Sequence, residues 1–253
     1  QLAAEFKIEL AAERSDTVTN VLRLHLDILV IIKADFLHKH PLGKNITATI
    51  ISYISARFHI FFRFFQKKKE ATDIAEKLKL EKINENVYRK ENVSLIITGI
   101  GKQQTAINLT RYLENCDIKP DLIINMGYVG STNSKIGEWV NVSKSYNYEW
   151  NIPGEQQYTV EEFNDDRIKT LENIKKLPCY SAESFVTHTD IKDDVLFDME
   201  LNSIYIICCM YKIDLISLKK VSDNLSLDDY YKNIDMKEVM ELTSGLELLR
   251  GEL

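Results

Sequence analysis

From residue 58 onward the chain alternates short apolar segments with amphipathic segments of helical period, and this order constrains the fold more than any other feature. Strands that alternate with helices are typical of a mostly parallel sheet covered by helices on both faces. The predicted strands are 59–65, 93–97, 121–125, 139–142, 179–181 and 214–221, and the predicted helices are 70–80, 103–115, 158–176, 204–211 and 237–249. The predicted fold class is therefore α/β, with a central, twisted sheet flanked by helices.

The first 57 residues differ from the rest. They contain one Gly and one Pro, and their apolar residues recur at helical spacing between positions 18 and 29. We predict an N-terminal helical extension over 1–57, without an assigned role, and an α/β domain over 58–253. The apolar run at 28–36 is a rival for the first strand of the sheet, so the sequence leaves 28–36 and 59–65 as alternatives.

Length and charge exclude several classes of protein. A chain of 253 residues with 45% hydrophobic content can form one packed α/β domain with an appendage. A formal net charge of −6 disfavours a nucleic-acid partner, because proteins that bind nucleic acids typically carry an excess of basic residues. The most apolar stretch, 46–65, contains Arg57, His59 and Arg63, which disfavour a membrane span. Because the charged residues of 1–20 do not fit a signal peptide, we expect a cytoplasmic protein.

The cysteines and histidines do not indicate a metal site. The four cysteines form neither a CxxC motif nor a disulfide framework, and Cys208 and Cys209 are adjacent in an apolar stretch, so we predict reduced core residues. His38 and His40 lie in a polar segment, where histidines are ordinarily solvated. We therefore predict no metal and no cofactor.

The glycines indicate where a ligand would bind. Five of the nine fall between positions 99 and 137, and four of those follow apolar strands directly. In open α/β sheets ligands bind at the carboxyl ends of the strands, where glycine allows close backbone approach. The segment Gly99-Ile100-Gly101 is neither a Walker loop nor a GxGxxG motif, since position 104 is Gln. Ordinary turn chemistry explains the glycines equally well at this point.

Three acidic positions stand at predicted strand ends or helix starts. Glu70 follows the aromatic strand, Asp198-Met199-Glu200 opens a helix, and Asp223 follows the last strand. Asp or Glu at such a position usually caps a helix or complements its dipole. Placed together around one sheet edge, the three acidic positions favour a catalytic site instead.

Five short motifs occur in an order that resembles a known family. They are TGIGK at 98–102, PDLIINMGYVG at 120–130, ESFV at 183–186, DME at 198–200 and VSDN at 221–224. Over roughly 58–249 this order resembles the purine nucleoside phosphorylase and nucleosidase superfamily, nearest to its methylthioadenosine/S-adenosylhomocysteine nucleosidase group. The resemblance implies a nucleoside phosphorylase-like fold and a small-molecule purine nucleoside as substrate.

The resemblance also implies roles for individual residues. Asp223 matches the general acid that shares a proton with purine N7. Glu200 matches the carboxylate that grips the ribose hydroxyls, and Met199 packs under the sugar. Phe185 matches the aromatic ring that stacks on the base, and the backbone of Val186 contacts the base edge.

Three further positions carry implied or altered roles. Glu70 matches the acid that orients the attacking water, and Asp35 replaces it if 28–36 is the true first strand. Ile100 lines the ribose or 5′ side of the site. Tyr128 stands where the family has a small residue, which places a large ring at the ribose or nucleophile site.

Hydrolysis and phosphorolysis differ in the need for an anion site. Arginine forks or nests of backbone N–H groups usually hold phosphate, and no Arg lies at 127–137 or directly after Gly101. We therefore predict a hydrolase, with phosphorolysis and a nucleoside-binding module without turnover as alternatives. The resemblance further implies a homodimer, and the apolar stretch 46–65 is a candidate for its interface.

Overall fold

The fold is known from a computed structural model that describes residues 58–62, 68–234, 236 and 240–249; the side chains of 58–62 and 68–70 are outside that description. The chain divides into two compact units, Gln1–Ser55 and Ala56–Leu253, and all described residues belong to the second. The predicted helical extension, the rival strand at 28–36, Asp35 and the apolar stretch before residue 58 therefore lie outside the described residues.

The second unit contains nine strands and five α-helices among its described residues. The strands are β1 (Phe58–Phe62), β2 (Glu81–Lys82), β3 (Val87–Lys90), β4 (Val93–Ile96), β5 (Leu122–Ser131), β6 (Trp139–Asn147), β7 (Lys175–Ser181), β8 (Leu196–Asp198) and β9 (Asp214–Asp223). The helices are α1 (Lys68–Lys77), α2 (Gly101–Glu114), α3 (Leu201–Tyr211), α4 (Leu227–Ile234) and α5 (Gly245–Leu248), with a 3₁₀ turn at Glu161–Phe163.

All nine strands form one sheet in the order β2-β3-β4-β1-β5-β8-β7-β6-β9, and β9 returns to pair with β5. Strands β5, β8, β7, β6 and β9 therefore close into a ring, as in a barrel. The pairing of β1 with β4 and β5 makes Phe58–Phe62 an integral strand of the sheet, at the place predicted for 59–65.

The sheet is mixed, and parallel pairings are its majority, as the prediction of a mostly parallel sheet requires. The pairs β2–β3, β3–β4, β5–β8 and β6–β9 are antiparallel, whereas β1–β4, β1–β5, β5–β9, β6–β7 and β7–β8 are parallel. A parallel crossover needs a dozen residues or more, and the connection from β5 to β6 is shorter than that. Strand β6 therefore reverses direction and runs antiparallel to β9.

Two apolar clusters cover the sheet. One packs Ala71 and Ile74 of α1 and the C-terminal Leu246 against Ile124 and Ile216 of the sheet. The other contains residues of α2 and α3, whose buried positions recur every three or four residues; they are Leu109, Leu113, Leu201, Ile204 and Cys208. The helices lie over the sheet because each presents one such apolar stripe.

Two predicted helices are absent or shorter among the described residues. The segment 158–176 forms only the 3₁₀ turn and then enters β7 at Lys175, so the helix predicted there is wrong. Ile168 instead makes a parallel bridge to Leu215 at the edge of β9. Near the C-terminus the described helix is Gly245–Leu248, while 237–239 are outside the described residues. Within the described part of the chain, no helix combines the length and the apolar character that crossing a bilayer would require.

Candidate active site

A small cavity lies where β5, β8 and β9 meet. Gly130 on β5 pairs with Phe197 of β8 on one side and with Asp223 of β9 on the other. The side chains of Phe197 and Asp223 line the cavity with residues of two loops; the full lining is Gly130, Ser184, Phe185, Val186, Phe197, Asp198, Met199, Asp223 and Leu225. Four residues that the motifs predicted for one site, Asp223, Met199, Phe185 and Val186, are thus brought together.

Glycine at position 130 makes room for the carboxyl group of Asp223. A Cβ atom at this position would lie 3.0 Å from Asp223 Oδ1 and 3.4 Å from Leu225 Cδ2. The first distance is too short for a carbon and an oxygen in ordinary contact, so a larger residue would push the carboxyl group aside. The glycine following the third predicted strand therefore serves the close approach of a side chain rather than a turn.

Asp223 is almost completely buried, with 1% of its surface exposed. Burial raises the pKa of its carboxyl group, because an ionised carboxylate loses its hydration there. Hydrogen bonds from the Ser222 hydroxyl (2.8 Å) and the backbone N–H of Leu225 (3.0 Å) lower the pKa but do not offset the burial. The carboxyl group is therefore shifted towards the protonated form.

Ser222 lies between Asp223 and the backbone of β5. Ser222 Oγ lies 2.8 Å from Asp223 Oδ2 and 3.1 Å from the carbonyl oxygen of Val129. A hydroxyl carries one proton and cannot donate fully to both oxygens. When Asp223 is protonated, its own O–H donates to Ser222 Oγ and the Ser222 hydroxyl donates to Val129, so both contacts become hydrogen bonds.

A buried ion pair lies beside this cavity. Lys219 Nζ is 2.8 Å from Asp198 Oδ2, and both side chains are fully buried. Asp198 also accepts hydrogen bonds from the Ser181 hydroxyl (2.6 Å) and from the backbone N–H of Leu201 (3.1 Å), which begins helix α3. A buried charge needs this degree of compensation to be tolerated. The pair fixes the start of α3, and with it Met199 and Glu200.

The motifs imply no role for Lys219 or Ser222, and Asp198 stands in the acidic segment 198–200 without a role of its own. The available signal was the Lys219-Lys220 pair inside an otherwise apolar strand, because a lysine on the inner face of a strand requires an acidic partner. The sequence does not reveal which acid that partner is, since Asp198 and Lys219 belong to strands β8 and β9, which do not pair in the sheet.

Glu200 and Gly101 meet at the starts of helices α3 and α2. Glu200 is fully buried, and its Oε1 accepts a hydrogen bond from the backbone N–H of Gly101. Gly99 and Gly101 have φ angles of 91° and 84°, a region that favours glycine, and this loop conformation presents the N–H group to the carboxylate. Ile100 is 41% exposed on the same loop. Glu200 follows Met199 directly, although it is not among the residues that line the cavity.

The cavity is narrow because aromatic and loop residues close it. The ring of Phe185 contacts that of Tyr230 on α4 edge to face, with centroids 5.7 Å apart. The free volume is about 30 Å³, which is room for about two water molecules, whereas ligand pockets usually measure about 300–1,000 Å³. A nucleoside therefore enters only if Phe185 and its loop move.

Of the predicted site residues, Tyr128 lies away from the cavity, and the side chain of Glu70 is outside the described part of the structure. Tyr128 is buried in the apolar cluster under α1, and its hydroxyl donates to the carbonyl oxygen of Met240 at 2.6 Å. Its ring does not line the cavity at Asp223 and does not fill the space there. Glu70 lies in helix α1, but its side chain is outside the described part of the structure.

The described cations do not form an anion site at the cavity. Of the arginines that the structure describes, Arg89 bonds to Ser94 and Tyr112, Arg167 pairs with acids, and Arg111 lies on α2; none lines the cavity. Among the described residues, no three His, Cys, Asp or Glu side chains gather as metal ligands would.

Comparison with known proteins assigns this arrangement to a family. The sequence profile of the phosphorylase superfamily matches residues 66–243, a span that includes every residue lining the cavity. The chain belongs to the phosphorylase superfamily. The resemblance read from five short motifs is thereby confirmed, and so is the nucleoside phosphorylase-like α/β fold.

Other members of the superfamily are similar to this chain over most of their length. The 5′-methylthioadenosine/S-adenosylhomocysteine nucleosidase of Buchnera aphidicola subsp. Schizaphis graminum is 26% identical over 204 residues, covering 67% of this chain and 86% of that protein. The apo structure of 5′-methylthioadenosine nucleosidase from Arabidopsis thaliana superposes with a TM-score of 0.61 at 16% identity, covering 77% of this chain and 95% of that one. Futalosine hydrolase of Helicobacter pylori strain 26695 superposes with a TM-score of 0.63 at 16% identity, covering 79% and 100%.

Proposed function

We propose that this protein hydrolyses the N-glycosidic bond of purine nucleosides of the methylthioadenosine/S-adenosylhomocysteine type, releasing the free base. The observation that carries the proposal is Asp223, a buried carboxyl group with a raised pKa in a cavity that also contains Phe185, Val186 and Met199. Membership of the superfamily and the nucleosidase similar over 86% of its own length support it.

The chemistry of the leaving group explains the need for such an acid. A purine leaves poorly as an anion, and a proton at N7 lets it leave as a neutral base. Asp223 donates that proton as the bond from the anomeric carbon to N9 breaks and its electron pair passes to the base. General acid catalysis of this kind contributes typically ~10²–10⁴-fold in rate. A carboxyl group whose pKa is raised by burial is suited to the task.

The remaining steps concern the sugar and the water. Positive charge develops on the ribosyl ring, and the carboxylate of Glu200 stabilises it electrostatically. Met199 packs under the ring and Phe185 stacks on the base. The oxygen of a water molecule bonds to the anomeric carbon while its proton passes to Glu70, so two carboxyl groups divide the acid and base roles.

Hydrolysis is favoured over phosphorolysis by the charges at the cavity. Phosphate carries nearly two negative charges and is usually held by arginine or backbone donors. The described arginines lie away from the cavity, and Lys219 is already paired with Asp198. Water, a neutral nucleophile, needs no such site. A homodimer and a cytoplasmic location remain predictions from the sequence, and analytical ultracentrifugation would test the first.

Base release with and without phosphate tests the proposal. The full chain is incubated with methylthioadenosine, S-adenosylhomocysteine, adenosine and inosine, and released base is separated by chromatography. We expect adenine from the first two substrates at a rate independent of phosphate, reduced about 10²–10⁴-fold in Asp223→Asn. Asp190→Asn, at a fully exposed position, is the matched control and keeps the wild-type rate.

Each other outcome contradicts the proposal in a distinct way. Base release that requires phosphate would make the protein a phosphorylase. Saturable nucleoside binding without release would make it a binding module. Neither binding nor cleavage of any purine nucleoside would overturn the assignment of the cavity itself.

A further inference from the structure

Lys102 is a buried lysine that the proposed chemistry does not use. It lies in the first turn of helix α2, and 8% of its surface is exposed. Its Nζ is 2.6 Å from Glu149 Oε2, 2.8 Å from Asn147 Oδ1 and 3.2 Å from Glu183 Oε1. A lysine loses much of its hydration in such a position, so the three oxygens replace the water that it gives up.

One side of this lysine is connected to the sugar end of the site. Lys102 directly follows Gly101, whose backbone N–H donates to the buried carboxylate of Glu200. Glycine at 99 and 101 gives this loop two positive φ angles. Lys102 directly follows this loop, and its ammonium group is anchored by the carboxylates of Glu149 and Glu183. A displacement of Lys102 would therefore move the Gly101 N–H group, from which Glu200 accepts a hydrogen bond.

The other side is connected to the base end of the site. Glu149 uses one carboxylate oxygen to accept from Lys102 Nζ and the other to accept from the backbone N–H of Glu183, at 2.7 Å. Glu183 also pairs directly with Lys102 through its side chain. The next three residues, 184–186, line the cavity with Asp223. Lys102 and Glu149 thus hold the backbone from which Phe185 extends.

We propose that Lys102 is a positioning residue that fixes the base-binding segment 183–186 relative to the sugar-binding carboxylate of Glu200. The inference rests on the proposed function, since it assigns a purpose to the nucleoside site. Because Phe185 closes a cavity of about 30 Å³ and has to move when a nucleoside binds, its segment needs one fixed end. The ion pair between Lys102 and Glu183 fixes that end of the segment, so the Phe185 side chain returns to one position after it has moved.

Without the lysine, two half-exposed carboxylates would repel each other at the beginning of the segment. The segment would then sample positions in which Phe185 does not meet the base. Such a change weakens ground-state and transition-state binding alike, so it raises KM and leaves kcat nearly unchanged. Loss of folded protein has the opposite signature, because it lowers apparent kcat and leaves KM unchanged.

The test combines kinetics with hydrogen exchange on the full chain. We expect Lys102→Met to raise KM for methylthioadenosine about tenfold with kcat within about threefold, and Lys102→Arg to restore most of the loss. Without ligand, the amides of 184–186 should exchange faster in Lys102→Met than in the wild type. Lys119→Met is the matched control, because Lys119 donates to the Leu113 carbonyl at the other end of the same helix. It should change neither KM nor the exchange of 184–186.

Glu149→Ala is a second variant that keeps the proposal testable if Lys102→Met does not fold. Glu149 is half exposed, so its removal leaves no cavity, yet it breaks the contacts to Lys102 and to the Glu183 N–H together. The same rise in KM and in exchange is expected. Unchanged KM and exchange in both variants would overturn the proposal, as would equal effects in Lys119→Met. If the wild type releases no base, the proposed function fails, while exchange at 184–186 still decides whether Lys102 holds the segment.

Discussion

A buried carboxyl group can act as an acid at neutral pH only if its surroundings disfavour the charge, and Asp223 meets this condition through burial. The same burial has a consequence for stability. In the native state the pKa of Asp223 is raised above its unfolded value, so the folded protein takes up a proton more readily than the unfolded chain does. The contribution of this group is fully present below the unfolded pKa and is lost as pH rises through the native pKa.

We therefore expect Asp223→Asn to be more stable than the wild type at pH 8. Asparagine cannot ionise, and its amide N–H can donate to Ser222 Oγ, which lies 2.8 Å from Asp223 Oδ2 in the wild type. The difference in melting temperature should narrow as pH falls from 8 towards 4, because the wild-type carboxyl group then becomes neutral too. Thermal unfolding of both proteins between pH 8 and pH 4 measures this difference in melting temperature. A wild type that is the more stable at pH 8 would show that Asp223 is ionised and well solvated there.

At the scale of the residue, the sequence predicts those site residues that stand in short motifs typical of the superfamily. Asp223, Met199, Phe185 and Val186 stand in short motifs, and the structure brings them to one cavity. The charged residues that hold this site in position are not predicted in this way. The partner of Lys219 is a residue of β8, and that of Lys102 follows β6. Both contacts depend on how the strands and helices are arranged in the fold, which one sequence does not specify.

At the scale of the element, β5 separates two environments along its length. Side chains of a strand alternate between the faces of its sheet, so Met126 and Tyr128 pack under α1 while Ile123 and Val129 pack towards α2 and α3. The register between β5 and β9 shifts after Val129, next to Gly130. Such an irregularity re-aims the residues that follow it. The Tyr128 ring, which the resemblance places at the ribose site, thus belongs to the core on the opposite face of the sheet.

Tyr128→Phe distinguishes a core role from a substrate-binding role. The hydroxyl donates to the Met240 carbonyl in a buried position, and its loss leaves that carbonyl without this donor. We expect the free energy of unfolding to fall by about 1–2 kcal/mol, as urea denaturation would measure. We expect kcat/KM for base release to stay within about twofold of the wild type. A large loss of kcat/KM at unchanged stability would instead make Tyr128 a substrate contact.

The predicted elements fail where tertiary pairing overrides local pattern. Apolar residues at 163, 168, 171 and 174 have helical spacing, but Ile168 bridges to β9 and Leu171 donates its N–H to Asn141 on β6. A segment that borders two strands satisfies its backbone groups there instead of within a helix. The antiparallel pairings within the mixed sheet have a related origin. Strands β6, β7 and β8 run opposite to β5 and β9, which follows from connection lengths and ring closure, and the hydrophobic period carries no information on either.

At the scale of the whole molecule, the second unit accounts for a complete superfamily fold. Futalosine hydrolase is covered over 100% of its length by 79% of this chain, so a whole relative corresponds to about the size of the unit Ala56–Leu253. The ring of strands closes between Leu122 and Asp223, and the described site residues lie between Ile100 and Leu225. These described site residues all belong to the second unit, and the alternative in which Asp35 activates the water involves the first.

Removal of residues 1–55 decides between Glu70 and Asp35 as the water-activating group. We expect the fragment 56–253 to fold and to release base with kcat/KM within about threefold of the full chain, because the acid, the sugar carboxylate and the base-stacking ring all remain. Glu70→Gln within the fragment should then reduce kcat about 10²–10⁴-fold. If the fragment has a normal circular dichroism spectrum and melting transition but no activity, the first unit supplies a catalytic group. Asp35→Asn in the full chain would in that case reproduce the loss, while Glu70→Gln would not.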